Sequence, residues 1–149
     1  MRDTIIPESF ELLPTGLGFL DALQPIYRQL TQESISFGLL VTDRHINRMG
    51  LCHGGVITTL ADAMATAGVN FASGKRSGSP TISLSVDFIS PGRIGQWIQA
   101  EIDHVSLKRR FGFCSGNITG PEGVIARFSG TIYLPDHQGM GRGAKNDEA

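Results

Sequence analysis

Residues 54–72, GGVITTLADAMATAGVNFA, form the one long stretch of the 149-residue chain whose apolar side chains keep a helical period. Ile57, Leu60, Ala61, Met64, Ala67, Gly68 and Phe71 recur at spacings of three and four. The other faces carry Ala, Thr, Val and Gly, and Asp62 is the only ionisable side chain in the run. A helix that is small or apolar nearly all round is one that other structure encloses. The stretch therefore predicts a central helix.

Downstream the pattern changes to period two and stays there. Ile82, Leu84, Val86 and Phe88 alternate with Thr81, Ser83, Ser85 and Asp87, predicting a strand over 81–90. Further strands are expected at 96–107, 111–119 and 124–134, separated by the turns PGRIG, KRR and GPEG. Upstream, Ser34–Val41 reads as a strand. Residues 16–31 read as a short amphipathic helix on Leu17, Leu20, Leu23 and Tyr27, broken or restarted at Pro25. These readings predict an α+β domain over 16–134, an antiparallel sheet of about five strands covering one helix. An irregular segment (1–15) precedes it, and a mobile tail (135–149) lacking apolar anchors follows. Trp97 alternates with polar neighbours, which places it exposed on one sheet face or in a contact between dimers.

Composition removes several function classes. A formal charge of −1 offers no field for nucleic acid or anionic lipid. Two cysteines, Cys52 and Cys114, are too few for a disulfide scaffold, and His45, His104 and His137 show no metal-ligand spacing. No basic-plus-apolar leader and no long apolar span is visible, so a cytoplasmic protein with no membrane partner is expected. Cys52, beside His53, reads as a small buried residue more than as a nucleophile.

The chemistry-bearing residues cluster at the entrance and middle of the central helix: Asn47, Gly50, His53, Gly54, Gly55 and Asp62. Gly54 and Gly55 stand where a helix begins, with unpaired N–H groups and a partial positive charge. Lacking side chains, they let a carbonyl approach closely, as an oxyanion site requires. Asp62 is a carboxylate in an apolar helix, expensive there unless paired or used. His53 and Asp62, nine residues apart, fall on opposite sides of the helix and ~13 Å apart along it. One chain cannot easily bring both to one carbon, whereas a two-fold dimer with antiparallel helices can. Lys108, Arg109 and Arg110, with Lys75 and Arg76, offer cations for phosphate groups.

The run NRMGLCHGGVITTLADAMATAG resembles the signature of the PaaI-like hotdog-fold thioesterases, and DFISPG is similar to the turn after that family's second strand. The resemblance spans roughly residues 16–134. It implies the hotdog fold, a helix wrapped by an antiparallel sheet, and hydrolysis of acyl-CoA thioesters without metal or organic cofactor. It assigns carbonyl polarisation to the Gly54 amide with Asn47, and positioning of loop and substrate to His53. Asp62 from the partner subunit becomes general base or nucleophile. A hydroxyl on the following strand assists in some members; here Thr81 occupies that place, with Ser83 next on the same face. Basic residues along the CoA path correspond to Lys108, Arg109 and Arg110. The competing readings are a non-catalytic acyl-CoA binding module and a hotdog hydratase, the second disfavoured by the intact HGG-x6-Asp spacing.

Overall fold

The computed structural model describes residues 5–75 and 78–136. The central helix α1 runs from Gly54 to Ser73, as its period predicts. It starts under the His53 N-cap and stops at Gly74, whose left-handed φ of 76° ends the helix. One side of α1 (Ile57, Leu60, Ala61, Met64, Ala65 and Val69) is buried against the sheet. No helix among the described residues is long and apolar enough to cross a membrane.

The sheet has seven strands, all paired antiparallel. They are β1 (Glu11–Leu12), β2 (Ile26–Leu30), β3 (Ile35–Leu40), β4 (Thr81–Phe88), β5 (Trp97–Lys108), β6 (Phe111–Gly120) and β7 (Gly123–Tyr133). Their order across the sheet is β1-β2-β3-β5-β6-β7-β4. The two strands beyond the expected five both come from the N-terminal region. The helix expected over 16–31 is not formed: Gly18–Leu23 is a 3-10 turn, and the chain then extends into β2. The reason lies in where the apolar side chains go. Ile26 enters the core fully buried, while Tyr27 turns to the opposite face against Trp97, an alternation that only a strand provides.

Trp97 is neither exposed nor available to another molecule. It is buried edge-on between Phe10, at 5.1 Å between ring centroids, and Tyr27, at 5.6 Å. The ring covers Gly38, where an added Cβ would fall 1.9 Å from it. The helix lies equally close to the sheet's inner face: a Cβ on Gly112 would meet Val69 at 2.2 Å.

Two features of this architecture position the site. The strand that follows α1 crosses to the end of the sheet, so among the described residues β4 pairs only with β7 and leaves its other edge free, with Ile82 and Phe88 exposed. The side of α1 away from the sheet (Thr59, Asp62, Ala63, Thr66) is only partly covered. It lines a cavity of about 970 Å³ shared with the 3-10 turn and with β2 and β3. Within one chain, then, the helix is enclosed on one side only.

Candidate active site

The loop that enters α1 is held from several directions. Thr42 caps a 3-10 turn, Asp43–His45, and the imidazole of His45 is buried beneath it. Its Nδ1 accepts the Thr42 N–H at 3.0 Å, which leaves the proton of the neutral ring on Nε2, 2.9 Å from the Leu23 carbonyl. The carbonyl of His45 in turn accepts the His53 N–H at 2.7 Å. Asn47 Oδ1 accepts from Met49 N at 2.9 Å and Leu51 N at 3.2 Å, so its side-chain carbonyl builds the loop, while its amide –NH2 makes no hydrogen bond among the described residues. Cys52 N donates to Gly92 O at 2.8 Å, and burial pushes the Cys52 thiol up to about 11. That thiol is a packing group, as expected, and His45 is a structural histidine.

At the start of α1 the two glycines have different roles. His53 Nδ1 accepts the Gly55 N–H at 2.8 Å, capping the helix. A Cβ on Gly55 would stand 2.9 Å from that nitrogen, so the cap needs the glycine. The Gly54 amide makes no hydrogen bond among the described residues. It is an unclaimed donor at the positive end of a 20-residue helix. Phe88 lies against it, 3.5 Å from where a Gly54 Cβ would be.

Asp62 is two turns further on, about 12 Å along the axis. It is half-buried and opens onto the large cavity. Thr81, the first residue of β4, donates its hydroxyl to Asp62 Oδ1 at 2.7 Å, while Oδ2 carries no hydrogen bond among the described residues. Ser83 lies beyond a register irregularity in β4 and makes no hydrogen bond to Asp62. The chain therefore brings Asn47, His53 and Gly54 together, and separately Asp62 and Thr81, without joining the two groups.

The predicted basic residues fall at the β5–β6 turn. Arg110 is engaged by Asp136 at 2.7 Å and by the Tyr133 hydroxyl at 3.5 Å. Lys108 and Arg109, the latter in a left-handed conformation with φ 52°, are exposed beside Phe111 and Phe113 around a second depression of about 600 Å³. Lys75 lies elsewhere, on the wall of the large cavity. Arg76, His137 and the expected tail from residue 137 onward lie outside the described residues. The residue that sequence reading missed is His45: its partner Leu23 is 22 residues away, and the only local trace is the capping spacing Thr42-x2-His45.

Residues 49–126, over half of the chain, match the model of the thioesterase superfamily. The stretch takes in His53, Gly54, Asp62 and Thr81. A Pseudomonas aeruginosa protein named "Putative esterase PA0474" is 30% identical over 131 residues, covering 87% of this chain and 98% of that one. Mouse "Acyl-coenzyme A thioesterase 13" is 26% identical over 89 residues, covering 58% and 61%. Among solved structures, the Escherichia coli PaaI protein from the phenylacetic acid degradation operon superposes with a TM-score of 0.64 at 22% identity, covering 78% and 83%. With the helix-on-sheet architecture and the HGG entrance already described, these matches make the chain a hotdog-fold member of the thioesterase superfamily, a thioester hydrolase.

Proposed function

We propose that the protein hydrolyses acyl-CoA thioesters at a site completed by two copies of the chain. The observation that carries this reading is the unclaimed Gly54 amide at the helix start, with a Thr81-oriented carboxylate two turns away. In the proposed reaction the thioester carbonyl oxygen docks on the Gly54 N–H, helped by the free amide of Asn47. His53 keeps its ring on Gly55, which holds the loop open in that geometry. Asp62 of the second copy accepts a proton from water through Oδ2 as the water oxygen bonds to the carbonyl carbon. The oxyanion, stabilised by the helix end, collapses with cleavage of the C–S bond, and the thiolate takes up a proton to leave as free CoA beside the carboxylic acid.

The free edge of β4 supports the two-copy arrangement. An eight-residue edge with exposed Ile82 and Phe88 invites pairing with another strand. A two-fold axis there sets the two α1 helices side by side and antiparallel, facing each helix start towards the partner's Asp62. Lys108 and Arg109 are the cations we assign to the CoA phosphates, since Arg110 is already paired. The test is a thiol-release screen over aryl, short, medium and long acyl-CoAs. Wild-type protein should release thiol from at least one class, and Asp62→Asn should lower that turnover by about 10²–10⁴. Wild-type turnover in the Asp62→Asn protein would remove the carboxylate from the mechanism.

A further inference from the structure

The segment that leads into β4 ties two polar side chains of α1 in the same way. Thr81 donates to Asp62, and two residues earlier Ser79 donates its hydroxyl to Asn70 Oδ1 at 2.6 Å. Both partners of the second bond are buried, Asn70 at 7% and Ser79 at 6% exposure. The distance suits an O–H···O bond and falls short of the usual N–H···O range, so Oδ1 faces Ser79 and Nδ2 is turned away. Nδ2 makes no hydrogen bond among the described residues. It is not sealed off either: among those residues, the one buried side-chain nitrogen or oxygen both shielded from solvent and unpartnered is Nε of Arg28. The space that Asn70 lines, with Ser79 and Asp62, is the large cavity. An amide N–H opening onto it needs an acceptor from whatever fills the cavity, water or ligand.

We infer that Asn70 is a specificity-determining residue whose Nδ2–H donates to a neutral oxygen on the acyl group, remote from the thioester. The inference rests on the acyl-CoA reading proposed above. Asp62 and Asn70 are eight residues apart on α1, about 12 Å along the axis. The cavity they share is walled by Ala63, Ala67 and Phe71 of the helix and by Leu20 and Phe37 from other elements. An acyl chain with its thioester at the Asp62 end lies along these side chains, and a keto or hydroxyl oxygen well down the chain meets the amide. Asn70 is uncharged, so it satisfies an acceptor without supplying a counter-charge. A carboxylate brought to it would give up its hydration for one bond to a neutral donor. The fit is therefore to a neutral oxygen. Arg28 and Lys75 also line the cavity, which makes the carboxylate the competitor to test. A site whose fixed donor is satisfied by the substrate discriminates against the analogue lacking that oxygen.

The experiment uses medium-chain acyl-CoAs of equal length: the unsubstituted compound, a set with one keto group at each carbon of the distal half, and the ω-carboxy compound. A keto oxygen only accepts, as Nδ2–H requires. In wild-type protein, kcat/KM for at least one keto compound should exceed that for the unsubstituted one by about tenfold. In Asn70→Leu, of similar size, that ratio should fall to about one; both rates come from one preparation, so any unfolded fraction cancels. Ser79→Ala breaks the same buried bond but keeps the N–H, and it should keep part of the preference. Loss of the preference in Ser79→Ala as complete as in Asn70→Leu would assign the effect to the broken tie and overturn the direct contact. A preference retained in Asn70→Leu overturns it equally. A wild-type ratio near one for every keto compound decides against the inference without any variant, and leaves the acyl-CoA reading standing if thiol is released. Preference for the ω-carboxy compound over all keto compounds overturns the neutral-oxygen assignment. Release of thiol from no acyl-CoA at all sinks the acyl-CoA reading, and this inference with it.

Discussion

Thr81 donates its hydroxyl to Oδ1 of Asp62 at 2.7 Å and so ties the first residue of the edge strand to the middle of the central helix. The bond leaves Oδ2 as the free lone-pair face of the carboxylate and fixes where it points. Thr81→Val keeps the shape and removes the donor. We expect kcat to fall roughly 10–100-fold, the range for a hydrogen bond to a charged group, with KM little changed. Thr81→Ser should retain most of the rate, and steady-state kinetics on one good substrate compare the two.

Gly54→Pro deletes the one backbone amide that the mechanism assigns to the oxyanion, and a proline suits the backbone there. Proline suits the first helical position, where no intrahelical bond is lost. His53, at φ −62° and ψ 136°, already has the extended backbone required before proline. The added Cβ meets Phe88 at an ordinary contact distance of 3.5 Å. Turnover should drop by about 10²–10³, as for loss of an oxyanion donor, with circular dichroism unchanged. An active Gly54→Pro enzyme would transfer the role to another donor.

His45 should matter to stability through the loop it anchors. Its buried ring joins Thr42 to Leu23, and its carbonyl holds the His53 N–H. His45→Ala removes both ring bonds and leaves a cavity, so the urea midpoint should fall by the equivalent of about 2–4 kcal/mol. A midpoint equal to wild type would contradict that role.

These residues also show how far the sequence could be read. The helix was legible because α1 keeps its period for five turns, and β4–β7 because alternation is sustained over eight residues or more. Asp62 stands out as a lone charge in that helix, whereas Thr81 is pointed to only by the resemblance to the family. The N-terminal region misled because Leu17, Leu20 and Leu23 do lie on a helical turn, yet β2 is only five residues long, too short for alternation to outweigh their spacing. Trp97 looked exposed because its cover, Phe10, comes from a segment with no pattern of its own.

Cys52 offers a chemical check on the burial of the loop. With its thiol pushed up to about 11 by desolvation, almost no thiolate exists at pH 8. Iodoacetamide should leave activity intact there, and labelling should rise only as pH approaches 11. The sign for stability follows: the folded state holds the proton that the unfolded thiol, near 9, gives up. Between those values stability falls as pH rises. Rapid inactivation by iodoacetamide at pH 8, absent in Cys52→Ser, would contradict the burial.

The claim that the site is shared between two chains is tested most directly by mixing inactive partners. Gly54→Pro and Asp62→Asn proteins are unfolded together in equal amounts, refolded, and assayed for thiol release. Random pairing puts half of the dimers in mixed form, each with one intact site of two, so the mixture should recover roughly one quarter of wild-type activity. Activity no higher than that of the separate variants would place the Gly54 amide and the Asp62 carboxylate in the same chain's site and contradict the account.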